Sequence, residues 1–527
     1  MINKMKADIV IVGGGLGGVS AALSAARIGA RVIMTEESDW IGGQLTSQAV
    51  PPDEHPWIEQ FGCTASYREF RNRVREYYRR HYPLNAKAAA NPTLNPGNGW
   101  VSRLAHEPKV ALRVLQDMLA PYVNGGRVSI LLNTRPIEVI VEGDECRSLI
   151  VEQIDIGGQL ELIAPMYLDA TELGELLPLG GIEHVTGAEA RSETGEPHAM
   201  EQADPLDMQS ITHVFAVDYV EGGNFTINMP EMYNYWRSFI PSFSQYPILD
   251  WKTMDPHNPD RIKEYTMFPN KLKLVSLWDY RRIFDPSQLA EPHLYDGEVT
   301  LVNWPQNDYF VGPIIGVSQE EKDRHLYQAK QLSLSLLYWL QTEAPRLDGG
   351  KGYPGVRPRG DVLGTVDGLA KTAYIRESRR IRARYTITEN DVSREARGSN
   401  GIRTYEDSVG IGSYHLDLHP TTISQRGFYI PSVPYEIPLG ALLPIRVRNL
   451  LPACKNIGTT QVSNGCYRLH PTEWNIGEAA GALAAFAVKR KCSAHDVQDQ
   501  SDLLQAYLKQ LDDLGVERHW PNQSFWE

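Results

Sequence analysis

The sequence predicts an α/β protein, α+β overall, in which a Rossmann-like dinucleotide-binding domain carries an inserted domain built on a mixed sheet. Three observations lead to this. An apolar strand, residues 7–12, runs into Gly13-Gly14-Gly15-Leu16-Gly17-Gly18 and an alanine-rich helix. A later strand ends in the short acidic turn Asp169-Ala170-Thr171. A third strand, near residue 450, leads into a glycine turn and a second small-residue helix far downstream.

Each piece has a physical reason. Gly13 lets the chain turn sharply out of its strand, Gly15 lets backbone approach a pyrophosphate, and Gly18 lets helix and strand pack closely. The pyrophosphate then lies on the helix N-terminus, where unpaired N–H groups and the positive dipole end favour anions. Gly29 closes the helix, residues 31–35 form the second strand, and Glu36 at its end is placed to accept from a ribose. Gly350-Lys351-Gly352-Tyr353-Pro354-Gly355 has the same glycine spacing. It reads as a turn, because no strand precedes it and Pro354 denies it a helix.

Farther on, Gly42-Gly43 in the loop 40–47 brings backbone near the far end of the same ligand. The arginine run Arg68, Arg71, Arg73, Arg75, Arg79, Arg80 reads as a solvated helix face, and residues 91–98 as a long Pro/Asn/Gly loop. Residues 109–122 have helical periodicity, while 128–132, 137–141 and 148–154 read as strands. An amphipathic helix is expected over 325–341 and a loop over 352–364. The domains expected are 1–180 (dinucleotide-binding, first part), 181–370 (substrate-binding cap), 371–495 (return to the first domain) and 496–527 (helical tail). The cap is rich in aromatics that read mainly as core. Its turn Asn303-Trp304-Pro305-Gln306-Asn307-Asp308-Tyr309 mixes amides, an acid and rings, which makes Trp304, Asn307 and Tyr309 candidate substrate contacts for a hydroxylated or ring-shaped ligand.

Composition narrows the partners. With 52 Lys and Arg against 65 Asp and Glu, the net charge of −13 argues against nucleic acid or an anionic membrane as the main partner. Five cysteines with no Cys-x-x-Cys pair disfavour a disulfide framework or a zinc site and suit a reducing compartment. The longest small-apolar run, near 479–488, is about half the ~20 residues of a membrane span. A cytoplasmic protein, with a homo-oligomer left open, is the expectation.

Residues 414–420 alternate polar and apolar, so a strand there sends His415, Asp417 and His419 to one face. That face could be a general base with an orienting acid, a metal site, or histidines satisfying buried carbonyls; no metal ligand set is assigned. Downstream, Thr472 is a plausible N-cap for a helix whose positive end would face a delocalised anion, with Arg468 and His470 just ahead of it.

Residues 13–18, 40–47, 169–174, 374–380, 407–420 and 449–481 together resemble the FAD-dependent oxidoreductases of the glutathione-reductase-like superfamily, within it the group often labelled xanthan-lyase-related. The resemblance implies FAD. Gly13, Gly15 and Gly18, with Leu16 and Gly17 between them, would hold the pyrophosphate, and Glu36, with Glu37 beside it, the adenosine ribose. Gly42, Gly43 and Gln44 would lie on the flavin side, and Asn475, Ile476 and Gly477 at the flavin carbonyl edge. Ala170, Thr171 and Gly458 complete the expected cofactor contacts. Where many relatives have Gly-Asp or Gly-Glu after the last strand, this chain has Cys454-Lys455, so Asn456 or a backbone group takes that work.

The implied reaction is hydride transfer from a small organic substrate to flavin N5, with reduced flavin returned by an electron acceptor. His419 or His470 is the candidate base, Arg468 the orienting group and His415 a substrate contact. The alternatives are a pyridine-nucleotide reductase, a non-redox flavoenzyme such as an isomerase or hydratase, and an FAD-binding protein without catalysis.

Overall fold

A computed structural model describes residues 2–255 and 258–521. Residues 522–527, the end of the expected helical tail, lie outside them. The protein is α/β, as the patterning predicts. β1 (Asn3–Lys6) precedes β2 (Ile9–Val12), whose residues are all buried. Gly13, with φ +97°, turns the chain into α1 (Leu16–Ile28), and β3 (Val32–Thr35) follows. Next come α2 (Ala65–His81), α3 (Ala86–Ala90) and α4 (Pro108–Asn124). Pro108 sits in the first turn of α4, where its missing N–H has no intrahelical acceptor to lose. β4 (Val128–Leu131), β5 (Thr134–Glu142), β6 (Glu145–Gln153), β7 (Gly158–Ile163) and β8 (Met166–Asp169) complete this half.

The central sheet is parallel, in the order Leu450–Pro452, β8, β2, β3, β4. Its register pairs Val12 with Asp169 and Thr35, and Asp169 with Pro452. The strands therefore end level, and the turns after β2, β3, β8 and Leu450–Pro452 meet at one carboxyl edge, where ligands of such sheets bind. A second sheet, β1-β7-β6-β5, covers the other side. β1 had no sequence signal, because its residues are largely exposed and polar; it adds to the edge of β7 in parallel.

The helix His470–Arg490 packs along α1. A Cβ on Gly477 would overlap the Gly17 carbonyl oxygen, and one on Gly481 the Ala21 carbonyl oxygen, so the two backbones nearly touch. Ser24 Oγ donates to the Glu478 carbonyl at 2.8 Å across that seam. Gly477→Ala is accordingly expected to cost about 1–3 kcal/mol through overpacking, read as a lower unfolding midpoint in denaturant. The helix starts at His470 rather than at Thr472, with Leu469 as N-cap and Pro471 in the first turn.

Between these halves lies an antiparallel sheet of Arg282–Phe284, Val299–Val302, Phe215–Tyr219 and Val356–Pro358. The last strand and the short helix Gly360–Leu363 fall in what reads as loop in the sequence. The long helix runs Gln319–Thr342, closed at its start by a Ser318/Glu321 capping box. Its first turns are solvated, so hydrophobic periodicity places the start too late. Trp236, Trp251, Trp278, Trp304 and Trp339 form this region's core.

One expectation is overturned on α2. Arg71 and Arg75 are not solvated but buried, with Arg71 held by Glu54 and Glu59 and Arg75 by Glu59. Tyr67, Phe70, Val74 and Tyr78 bury the same face of the helix and carry the two arginines inward.

Candidate active site

At the carboxyl edge, Gly14 N–H donates to Glu36 Oε2 at 2.9 Å, while Glu36 Oε1 accepts from Ser38 N–H at 2.9 Å and Ser38 Oγ at 2.8 Å. Burial pushes the Glu36 carboxyl up to about 7. The loop 40–47 is tied to the glycine turn by Gly42 N–H donating to the Gly14 carbonyl at 2.8 Å. Gln44 Nε2 donates to Glu473 Oε2 at 2.6 Å and to the Arg468 carbonyl at 3.1 Å. Gln44 Oε1 and Glu473 Oε1 are then left buried without protein partners. Buried orphan acceptors are rare in folded proteins and point to a ligand with donors.

Several expected cofactor contacts are engaged elsewhere. Asn475 bridges the strand Ser408–Gly412, donating to the Val409 carbonyl at 3.1 Å and accepting from Ile411 N–H at 3.3 Å. Ile476 is wholly buried in the core, and Gly477 is consumed by α1. The earlier helix start explains this, moving the free first-turn amides from residues 475–477 back towards His470. Asn456 Nδ2 donates to the Asp169 carbonyl at 3.0 Å, and Gly458 packs on Ala383. Thr171 Oγ1 donates to Asp169 Oδ1 at 2.7 Å, closing its own turn. The Ala170 carbonyl abuts Gly13, and Glu37 points to solvent.

A cavity of about 240 Å³ opens between residues 241–265 and 305–310 of the insert and the strand Leu416–Leu418. Phe243, Tyr246, Tyr280, Phe310, Tyr414 and Tyr429 are among its walls, and Gln306, Asp308, Asp417, His419 and Lys263 among its polar part. The period-two strand delivers Asp417 and His419 to the cavity as its pattern implies. His415 instead stacks on Tyr429, ring centroids 4.1 Å apart.

His419 lies between two carboxylates. Its Nδ1 is 2.7 Å from Asp308 Oδ2, and its Nε2 3.3 Å from Asp417 Oδ2. Asp308 Oδ1 accepts from Arg376 Nη2 at 2.8 Å and Thr212 Oγ1 at 2.7 Å. Burial opposes ionisation of Asp308, yet Arg376 and His419 hold its carboxyl down at about 2. Asp417 is likewise buried, but His419 and Arg468 keep it well below the usual range. Arg468 donates to Asp417 Oδ2 at 3.1 Å, to its carbonyl at 3.0 Å, and to the Tyr374 hydroxyl at 3.0 Å. Through Arg468 and Gln44 the cavity is linked to the cofactor end of the glycine turn.

The other expected residues fall differently. His470 Nδ1 accepts from Asp53 N–H at 3.2 Å, so its Nε2–H donates to the Val50 carbonyl at 3.1 Å. Both nitrogens are used by backbone, and burial pushes the ring down to about 4. It is placed to hold the loop 50–53. Trp304, Asn307 and Tyr309 turn into the core: Asn307 bonds the His213 and Val302 carbonyls, and the Tyr309 hydroxyl bonds Gln328 and His325. The short 3-10 turn Pro305–Asn307 inverts the expectation, leaving Gln306 and Asp308 facing the cavity. The sequence signal for Asp308 was its place in that mixed turn; Arg376 lies in the stretch 374–380 that carries the resemblance, where it reads as a salt-bridging residue.

The residues fit FAD. The turn of residues 13–18 and the first turn of α1 would hold its diphosphate, Glu36 the adenosine ribose, and Gly42, Gly43 and Gln44 the side towards the ring. No helix among the described residues is long and apolar enough to cross a membrane.

No curated protein matches the chain in sequence. Among solved structures, E. coli quinol fumarate reductase FrdA is 11% identical over 97% of this chain and 74% of that one, with a TM-score of 0.34. A geranylgeranyl bacteriochlorophyll reductase-like protein from Thermoplasma acidophilum is 11% identical over 98% of this chain and 86% of that one, TM-score 0.32. L-proline dehydrogenase from P. horikoshii is 16% identical over 36% of this chain and only 24% of its own length, TM-score 0.19. At these scores the likenesses assign no residue and no substrate. The family model described as FAD dependent oxidoreductase matches residues 8–508, nearly the whole chain. The protein belongs to the FAD dependent oxidoreductase family.

Proposed function

We propose that the protein oxidises a small, neutral, hydroxylated or ring-shaped molecule held in the aromatic cavity, and that it falls in the xanthan-lyase-related group of the glutathione-reductase-like superfamily. The observation that carries this is the Asp308–His419 pair opening on that cavity. An ionised Asp308 can only accept, so it fixes a proton on His419 Nδ1; Asp417 draws a proton to Nε2 in the same way, and the ring serves as base in the form in which Nε2 has given that proton up and takes one from a substrate hydroxyl. Asp417, 3.3 Å from Nε2, offsets the charge that the ring then acquires. Arg468 acts as an orienting group by holding Asp417, and Arg376 does the same for Asp308.

Neutrality of the substrate follows from charge matching, since each cavity carboxylate already has an arginine and Lys263, which also lines the cavity, is paired with Asp255 at 3.1 Å. Gln306 and the tyrosines offer partners for hydroxyls, and their neighbouring rings pack on a flat or C–H-rich face. FAD, held by residues 13–18, Glu36 and the loop 40–47, would supply the two-electron oxidant. Residues 181–370 serve as the substrate-binding cap, 1–180 and 371–495 as the cofactor-binding part, and 496–527 as the tail. The setting proposed is cytoplasmic, with a separate electron acceptor and a homo-oligomer as a natural assembly.

The test is an absorbance spectrum of the purified protein before and after acid precipitation, followed by anaerobic titration with alcohols, sugars, amines and aromatic acids. Bleaching by hydroxylated neutral compounds is expected. Bleaching by amines or acids alone would overturn the substrate class, and steady turnover without any electron acceptor would replace oxidation by isomerase or hydratase chemistry.

A further inference from the structure

A buried ion cluster joins the glycine turn to the return helix. Lys455, three residues past Pro452, has no exposed side-chain surface; its ammonium is paired with Glu172 and lies 3.8 Å from Glu473 Oε2. Glu172 comes from the turn after β8, and its Oε1 lies over the glycines: a Cβ on Gly15 or on Gly43 would each meet that oxygen at 2.9 Å. A carboxylate thus stands at the N-terminus of α1, where the first-turn amides lack intrahelical acceptors. Glu473 Oε2 accepts from Gln44 Nε2 at 2.6 Å and faces Lys455, yet its Oε1, like Gln44 Oε1, is buried without a partner.

The two acids differ in freedom. Glu473 is fully buried and held on two sides, whereas the Glu172 side chain keeps 25% of its surface exposed. Glu172 can therefore swing away, while Glu473 cannot. A buried ammonium left without an anion is strongly unfavourable, but exchanging one anion for another keeps it paired throughout. Only the mobile end of one side chain separates Lys455 from the space over Gly15 and Gly43.

We propose that Lys455 is the cationic ligand of the FAD diphosphate, and that the Glu172 carboxylate is an internal anion which the diphosphate displaces from Lys455 and the α1 N-terminus. The inference rests on FAD being seated on the turn of residues 13–18. It accounts for Cys454-Lys455 standing where an acid was expected: the basic residue here faces phosphate rather than sugar hydroxyls.

The test measures dissociation constants of FAD, and of riboflavin as a probe lacking the diphosphate, by quenching of flavin fluorescence on the apoprotein. The unfolding midpoint of each apo variant is followed in parallel. Lys455→Met is expected to weaken FAD about 10- to 100-fold, the scale of one charged hydrogen bond, and to leave riboflavin binding unchanged. Glu172→Gln, which keeps the shape but removes the competing charge, is expected to tighten FAD by about tenfold. Unchanged FAD affinity in a folded Lys455→Met, or equal loss of FAD and riboflavin, would overturn the role of Lys455. Weaker FAD binding by Glu172→Gln would overturn displacement, and this variant decides the matter if Lys455→Met does not fold. Failure of the seat itself reads differently: Gly15→Val would then retain FAD.

Discussion

Replacing His419 with Asn is expected to slow substrate reduction of the flavin by about 10²- to 10⁴-fold, the usual worth of a positioned general base, while FAD stays bound. Asn keeps a donor towards Asp308 but has no basic nitrogen to present to the cavity. Asp308→Asn should act through the same ring, since a neutral amide no longer fixes the Nδ1 proton. Its signature is a distorted pH profile with substrate affinity little changed. His470→Asn is the control. That ring bonds only the Asp53 N–H and the Val50 carbonyl, so its loss should lower the unfolding midpoint and leave the shape of the pH–rate profile intact. Stopped-flow reduction across pH separates the two histidines. If His419→Asn reduced flavin within about threefold of the unmodified protein, the base would lie elsewhere.

Arg71→Met is expected to destabilise the fold by about 3–5 kcal/mol, the range for removing one partner of a buried ion pair. Arg71 donates to Glu54 Oε1 at 2.7 Å and Oε2 at 3.0 Å, and to Glu59 at 2.7 and 2.8 Å. Glu54 has no exposed side-chain surface and would keep only the Tyr67 hydroxyl, at 2.9 Å. Urea unfolding measures the loss. The pH dependence has a definite sign. Burial opposes ionisation of Glu59, but Arg71 and Arg75 hold it at about 2, below the 4.5 of a free glutamate. Its contribution is complete above pH 4.5 and disappears as pH falls through about 2. In Arg71→Met that acid-side slope should shrink. The same change loosens the loop that carries Asp53, which pairs with Arg281 beside the cavity at 3.3 Å, so substrate affinity is expected to fall as well.

The parts legible in the sequence are those encoded by local spacing. The glycine turn, the acid at the end of β3 and the alternation from His415 to His419 each occupy a few consecutive residues, and strand or turn geometry fixes where they point. The Arg71 position was also available. Residues 67, 70, 71, 74, 75 and 78 follow the helical period of one buried face, so attention to place rather than to charge would have put both arginines inside. Asp308 was hidden because a 3-10 turn after Pro305 rotates its aromatic neighbours inward. Glu172 and Lys455, like Asp308 and His419, meet only through tertiary folding across long separations, and no local period encodes such pairs.

The place of Leu450–Pro452 beside β8 has a consequence for biosynthesis. The first 170 residues emerge from the ribosome with one edge of β8 open, and its partner follows about 280 residues later. At about 5–20 residues per second this interval lasts roughly 15 to 60 seconds. For that time a wholly buried strand presents unpaired amides and carbonyls to other nascent chains. Slower passage through the insert lengthens that exposure, so the yield of folded protein is expected to vary with translation speed even where the stability of the finished molecule is unchanged.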